Sequence, residues 1–450
     1  MKKILLLSIL AALALTLIML ITAGCKKEEP ESDKIGAPED LLTLTPEYQP
    51  GTYRNFDKIY NTRTIRKGTT TYPLPNASQP LTSVKYSPDG VNTYDIDDFV
   101  ERNQVAGLLI IKNGQIVLEK YAQGNTPSSK WTSFSVAKSI TSTLIGMAVK
   151  DGKISSLNDN ILQYLPEMVG TAYDGVTVRQ LLQMSSGAGW NEDYADPSSD
   201  LVKMFQALLS GEAGGILEIM KNLPRVVEPG NIFIYSTGET CLEGEVLRAA
   251  LGGETLSDYF SRKIWANMGM ESDAYWLLES PGGQEFAGGN ISMTLRDYGR
   301  MGLFMLNNGV VNGQSLLPAN WIQDATRPAA DSPQCGYGVL YSEANGAAYP
   351  YNYPLGYGYN WWSFPESSWG AWDYLEDVTW WGEDAINPTN KRLTNLEGSY
   401  EAEGIFGQFI HINPAQNIVT VLWSTWSSSW IDPKEFEFYC FMDAAAEALK

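Results

Sequence analysis

The chain has 450 residues, a formal net charge of −20, 44% hydrophobic residues and a single histidine, His411. That length exceeds what one compact core usually holds and predicts packed lobes or a domain with a large insertion. The acidic balance argues against nucleic acid as a partner. One histidine without a Cys-x-x-Cys pair excludes a multi-histidine metal site, so neither metal nor cofactor is expected.

Lys2 and Lys3 precede an apolar run over 4–21, and Thr22, Ala23 and Gly24 stand before Cys25. A positive start, an apolar stretch and small residues form the pattern of an export signal. Its end resembles the lipobox of bacterial lipoproteins, with Thr22 where leucine is usual. The resemblance implies removal of residues 1–24 and acylation of Cys25. The product would be an exported lipoprotein anchored to the membrane and facing the periplasm or the cell surface. An uncleaved anchor is the alternative, because the run is long enough to span a bilayer. Residues 25–45 read as a flexible acidic tether, and 26–34 lack apolar side chains.

Folding signals begin near Leu41. Apolar residues over 106–111, then Asn113-Gly114, then a β-run over 115–121 predict a tight hairpin. A helix is expected over 139–149, stopped by Asp151-Gly152. A periodic stretch over 157–165 follows, then a helix capped by Thr177. Further helices are expected over 201–209, 216–220, 239–250, 256–268 and 297–307. β-runs return at 357–362, 405–412 and 418–423, and a helix over 436–449 closes the chain. This order predicts a body over 46–450 with one sheet built from both chain ends and a mainly helical lobe inserted at about 151–290. A site would lie between the lobes. Cys241, Cys335 and Cys440 are an odd number, and their pairing is open.

Ser135-Val136-Ala137-Lys138 is the one Ser-x-x-Lys in the chain. It sits where a polar segment gives way to the first long helix. Residues three apart on a helix share a face, so this serine and lysine can touch. A serine hydroxyl needs a base, and a desolvated lysine can supply a neutral amine. A solvated helix face reads the same way, so the pattern needs a pocket and an oxyanion hole to support it. Tyr235-Ser236-Thr237 follows a turn and precedes a helix; with a cation nearby its phenol is expected to titrate lower and relay protons. A loop tyrosine packing on the helix start is the alternative. Gly404-Ile405-Phe406-Gly407-Gln408 carries glycines inside a β-run, which mark close approach of a ligand or a backbone, or a simple kink. His411 lies in an alternating strand pattern and reads as structural or surface.

These three elements, in this order, resemble the class C β-lactamase-related serine hydrolases of the penicillin-recognising superfamily, nearest to esterase-like and aminohexanoate-oligomer hydrolase-like members. Leu181-Leu182-Gln183-Met184-Ser185-Ser186-Gly187, Arg296-Asp297-Tyr298-Gly299-Arg300-Met301-Gly302 and Gly356-Tyr357-Gly358-Tyr359-Asn360-Trp361-Trp362 support it, and it spans about 90–450. The resemblance implies an α+β fold of the β-lactamase/transpeptidase type, with an antiparallel sheet flanked by helices. It implies Ser135 as acylated nucleophile, Lys138 as base and Tyr235 as proton shuttle. The backbone N–H groups of Ser135 and Gln408 would form the oxyanion hole. Tyr194, within Trp190-Asn191-Glu192-Asp193-Tyr194, resembles a pocket-covering residue, and Thr237, Phe406 and Gly407 would border the substrate.

Two departures shape the expected activity. Ile405-Phe406-Gly407 stands where β-lactam enzymes carry Lys-Thr-Gly, and Thr237 stands where asparagine is usual. Both favour small uncharged esters or amides over β-lactams. A β-lactamase, a D-amino-acid peptidase and a non-catalytic lipid-anchored binding protein are the rival readings. The aromatic stretch 349–381 is either a packing insertion or a wall for an apolar substrate, and its acids Glu376, Asp377 and Glu383 would repel anions.

Overall fold

Strands from distant parts of the chain lie side by side in the main sheet. The computed structural model describes residues 33–327, 339–342, 347–350, 355–364 and 393–450. Its principal strands are β1 (Thr62–Ile65), β2 (Val105–Lys112), β3 (Gln115–Tyr121), β4 (Lys130–Thr132), β5 (Ala274–Leu277), β6 (Ile291–Thr294), β7 (Gly356–Tyr357), β8 (Trp362–Ser363), β9 (Tyr400–Gly404), β10 (Gln408–Asn413) and β11 (Ile418–Ser424). The seven-stranded sheet runs β7-β8-β9-β10-β11-β2-β3, with every pair antiparallel. The early hairpin thus joins the late strands through β11, where Leu422 faces Leu108 and Val419 faces Ile111.

Both faces of this sheet are covered, so β2 reads as a continuous apolar run. Leu109 and Ile111 pack into one core; Leu108 and Ile110 pack into the other. The principal helices are α1 (Gln49–Arg54), α2 (Ile96–Arg102), α3 (Val136–Lys150), α4 (Asp200–Ser210), α5 (Thr237–Ala250), α6 (Leu295–Leu306) and α7 (Asp432–Ala448). α2 and α7 cover the second face, where Phe99 stacks on Phe441 with ring centroids 4.1 Å apart. α3 and α6 cover the first. α3 is buried from Val136 to Ala148, although it carries several hydroxyls. Each of these finds a carbonyl: Thr141 Oγ1 donates to Ala287 O (2.8 Å), Ser142 Oγ to Tyr359 O (2.6 Å) and Thr143 Oγ1 to Ser139 O (2.7 Å). A polar helix can be buried on those terms.

Several expectations need correction. β1, β5, β6 and β4 form a second, four-stranded sheet beside the one sheet expected, and of its strands only β5 falls within 151–290. The stretch 157–165 yields only a 3-10 turn at Ile161–Gln163. The expected strand over 405–412 is broken: Phe406 (φ 63°) and Gly407 (φ 82°) are left-handed and form the turn between β9 and β10. The run over 357–362 is likewise a hairpin, turning at Asn360 (φ 58°). The expected tether extends too far, because Leu41 and Leu44 are buried in the domain core. Residues 1–32, with Cys25, and Cys335 lie outside the described residues, as do Glu376, Asp377 and Glu383. Among the described residues no helix is long and apolar enough to cross a membrane.

Gln408 shows how tightly the β9–β10 turn is held. Its buried side chain accepts from the Trp131 indole (2.8 Å) and donates to Phe406 O and Ser424 O (2.9 Å each). Gln408→Ala leaves those buried groups unpaired, which costs roughly 1–3 kcal/mol. Urea unfolding should show a lower midpoint with an unchanged slope.

Candidate active site

Phe134 precedes the helix in a left-handed conformation (φ 45°), unusual for a bulky residue. Its ring is wedged edge-on against Tyr53 (5.0 Å) and Phe406 (5.4 Å), which holds the bend. The bend delivers Ser135 as the N-cap of α3. One turn on, Lys138 Nζ donates to Ser135 Oγ at 2.9 Å and to Gly288 O at 2.7 Å. The lysine is 2% exposed. Burial pushes its pKa down to about 8, against the opposing pull of Glu192 and other neighbours. Tyr235 places its ring 5.2 Å from Lys138 Nζ and its phenol within hydrogen-bonding reach of Ser135. Tyr194 reaches the same hydroxyl. Serine, lysine and two tyrosines therefore converge on one oxygen.

The phenol of Tyr235 does not titrate lower, as expected from a nearby cation. Burial, and then the charge of Glu192, push it well above the ordinary tyrosine range. Glu192 is the hub of this side of the site. It accepts from the Thr237 backbone N–H (3.0 Å), the Thr237 hydroxyl, the Trp190 indole and the Tyr194 phenol (3.2 Å). The Thr237 side chain is thus held by a carboxylate. On the far side of Tyr235, Trp362 stacks at 6.0 Å and Tyr357 packs edge-on at 6.2 Å. The described part of the aromatic stretch accordingly supports Tyr235.

A cavity of about 30 Å³ opens at Ser135, bordered by Tyr194, Thr237, Gly288 and Ile405 among others. Phe406, Gly407 and Gln408 are not among its lining residues. Phe406 points into the core, and a Cβ on Gly407 would strike the Trp426 ring at 2.5 Å. Gln408 has in-register neighbours on both sides, Gly404 and Trp423, which places its backbone in the ladder. The backbone that abuts the serine is Gly404: a Cβ there would lie 3.1 Å from Ser135 N and 2.5 Å from Ser133 O. Ile405 follows it. The strand segment beside α3 is therefore Ala402-Glu403-Gly404, with Ile405-Phe406-Gly407 in the turn beyond.

The model of the Beta-lactamase family matches residues 95–437. The chain belongs to this family. It is 25% identical over 340 residues to a 6-aminohexanoate-dimer hydrolase of Paenarthrobacter ureafaciens, covering 74% of this chain and 75% of that protein. A candidate 6-aminohexanoate-dimer hydrolase from Bacillus anthracis superposes with a TM-score of 0.71 at 20% identity, over 94% of this chain and 98% of that one. A family VIII carboxylesterase superposes with a TM-score of 0.51 at 16% identity, over 77% and 94% of the two chains. The fold is that of the β-lactamases and transpeptidases, and the Beta-lactamase family assignment makes the chain a hydrolase of that fold.

In this family member the helix behind Lys138 carries two buried acids that sequence reading did not single out. Ser186 Oγ donates to Glu239, and Asn360 Nδ2 donates to Glu243 Oε2 at 2.7 Å. Burial raises both carboxyls to about 8, so both hold their protons at neutral pH. Glu192, Gly288, Asn360 and Ile405 also escaped a role. Ala287-Gly288-Gly289-Asn290 carried a usable signal, because paired glycines mark close backbone approach.

A carboxyl whose folded pKa lies above its unfolded value gives stability that is lost as pH rises. From about 4.5 to about 8 the unfolded chain has released the Glu243 proton and the folded one has not, so stability falls across that window. Glu243→Gln removes this dependence. Its melting temperature relative to the unsubstituted protein should rise from pH 5 to pH 9; a difference that stays flat contradicts a protonated Glu243.

Proposed function

We propose that this protein is a serine hydrolase that cleaves small neutral esters or amides through an acyl-enzyme on Ser135. The observation that carries the reading is the 2.9 Å contact between Ser135 Oγ and a buried lysine whose pKa is depressed to about 8. The Ser135 oxygen attacks the substrate carbonyl while its proton passes to Lys138. The tetrahedral oxyanion is held by the backbone N–H groups of Ser135 and Ile405. Ile405 replaces Gln408 here because it lines the cavity directly after the glycine that abuts Ser135. One such donor is typically worth ~100- to 1,000-fold in rate. Tyr235 protonates the leaving group and is reprotonated from Lys138. Water then attacks the acyl-enzyme, giving up its proton along the same route, and frees Ser135.

The relatives named above support ester or amide cleavage, and two are named for an aminohexanoate dimer. The lining supports a neutral substrate: among the described residues bordering the cavity none is lysine or arginine. A carboxylate-bearing β-lactam would find no lysine or arginine among those described lining residues. We also propose lipid anchoring at Cys25, which rests on the sequence pattern of residues 2–25. The mass of the mature N-terminus tests it, with an acylated Cys25 expected and a retained 1–24 segment contradicting it.

Ser135→Ala should abolish labelling by a fluorophosphonate and hydrolysis of nitrophenyl butyrate; undiminished labelling refutes the assignment. For the unsubstituted enzyme, kcat/KM should be higher for this ester than for a chromogenic cephalosporin. It should also rise with pH to a plateau with a midpoint near 8, because the neutral amine is the base and forms as pH climbs through the Lys138 pKa.

A further inference from the structure

The wall of the Ser135 cavity includes residues from outside the family-matching region. Leu41 and Leu42 border it, whereas the family model begins at residue 95. The segment that carries them is fastened on both flanks. Before the leucines, Gly36 N donates to Thr52 Oγ1 (2.9 Å) and Tyr60 OH donates to Pro38 O (2.8 Å). After them, Gln49 Nε2 clamps Leu44 O (2.8 Å) to Trp426 O (2.9 Å), which ties the segment to the residues beyond β11. Leu41 is buried and Leu42 half-buried. Leu201 and Phe205 of α4 and Phe286 border the same cavity. The side chains of its lining that carry polar groups are those of Ser135, Tyr194, Thr237 and Asn290.

We propose that Leu41 and Leu42 complete an apolar subsite that selects substrates by the size of a short neutral aliphatic group next to the scissile carbonyl. The inference rests on the serine-hydrolase reading above and names its substrate class. Shape and solvation set the selection. A charged group entering this lining would lose its hydration with no partner to replace it, so it is rejected. A methylene that fits gains apolar contact, and one that does not fit meets side chains fixed by packing on both sides. One methylene in such a pocket is worth roughly 10- to 200-fold in kcat/KM. The enzyme would therefore favour short chains, and its size limit would be set by a segment that the family core does not supply.

The test uses the full-length protein and its Leu42→Ala and Leu42→Phe variants. Leu42 is chosen because Leu41 is more deeply packed. Two ester series are compared, nitrophenyl esters from acetate to octanoate and acetate esters of lengthening alcohols, together with labelling rates for alkyl fluorophosphonates of increasing length. Leu42→Ala should raise the octanoate-to-butyrate ratio of kcat/KM, or the matching ratio in the alcohol series, by about 10-fold or more. Leu42→Phe should move it the other way. Which series responds tells whether the acyl or the alcohol side occupies the subsite. A length profile that neither variant moves, in a protein that is labelled normally, overturns this inference alone. Absence of both labelling and hydrolysis in the unsubstituted protein overturns the serine-hydrolase reading and this inference with it.

Discussion

An ammonium group taken out of water must find partners or give up its proton. Lys138 Nζ donates to one hydroxyl and one carbonyl, Ser135 Oγ and Gly288 O. Neither carries charge, so burial wins and the amine titrates near 8 instead of near 10.5. Much of the surrounding structure serves that placement. Gly288 O can approach only because residue 288 has no side chain: a Cβ there would meet Thr237 O at 2.7 Å. α5 brings Glu239 and Glu243 behind the lysine, but burial raises both carboxyls to about 8, and the pull of Glu243 on the ammonium stays smaller than the effect of burial. Had they been ionised, their Coulomb attraction would have held the lysine charged and removed the base.

Regular elements with strong periodicity were legible from the sequence. The Asn-Gly hairpin, α3, α4, α5, α6, β11 and α7 stand where apolar spacing and caps placed them, within a few residues. The convergence of Ser135, Lys138 and Tyr235 was legible through motif order. The two misread strands share a cause, which is backbone that departs from regular geometry at non-glycine positions. Phe406 at φ 63° and Asn360 at φ 58° turn the chain where composition reads as strand. Tertiary packing pins those conformations; for Phe406 the pin is contact with Phe134 and Tyr53, which no local propensity encodes. The turn at Phe406 is why Gln408 lies in the sheet ladder, and Ile405 rather than Gln408 faces the cavity.

A different limit hid Glu192. It lies in a loop of aspartates, glycines and prolines that reads as solvated, and its role depends on groups far away in sequence. Its partners Trp190 and Tyr194 are local, but Thr237 joins it from the start of α5. Loops carry chemistry when a rigid element fixes them, and here the N-terminus of α5 does so. A carboxylate near the first turn of a helix is favoured by the exposed N–H groups, and Thr237 N supplies one of them.

That position bears on where protons reside during the proposed reaction. Lys138 and Tyr235 flank the same hydroxyl, and either type of side chain can in principle take its proton. Their environments push them apart: the lysine falls toward neutrality, while the phenol rises further from ionisation. Glu192 acts on both groups with one charge, adding to the rise of the phenol and opposing the fall of the lysine. It opposes the phenolate and favours the ammonium. In the resting site burial outweighs that attraction and the amine is about half free near pH 8. When Lys138 accepts the serine proton, positive charge appears where Glu192 attracts it, so the carboxylate stabilises the charged intermediate more than the resting state. Tyr235, kept neutral, remains able to donate to the leaving group. Burial thus separates the tasks of two groups of opposite intrinsic charge type while one carboxylate acts on both, and neither a histidine nor a metal enters the proposed route.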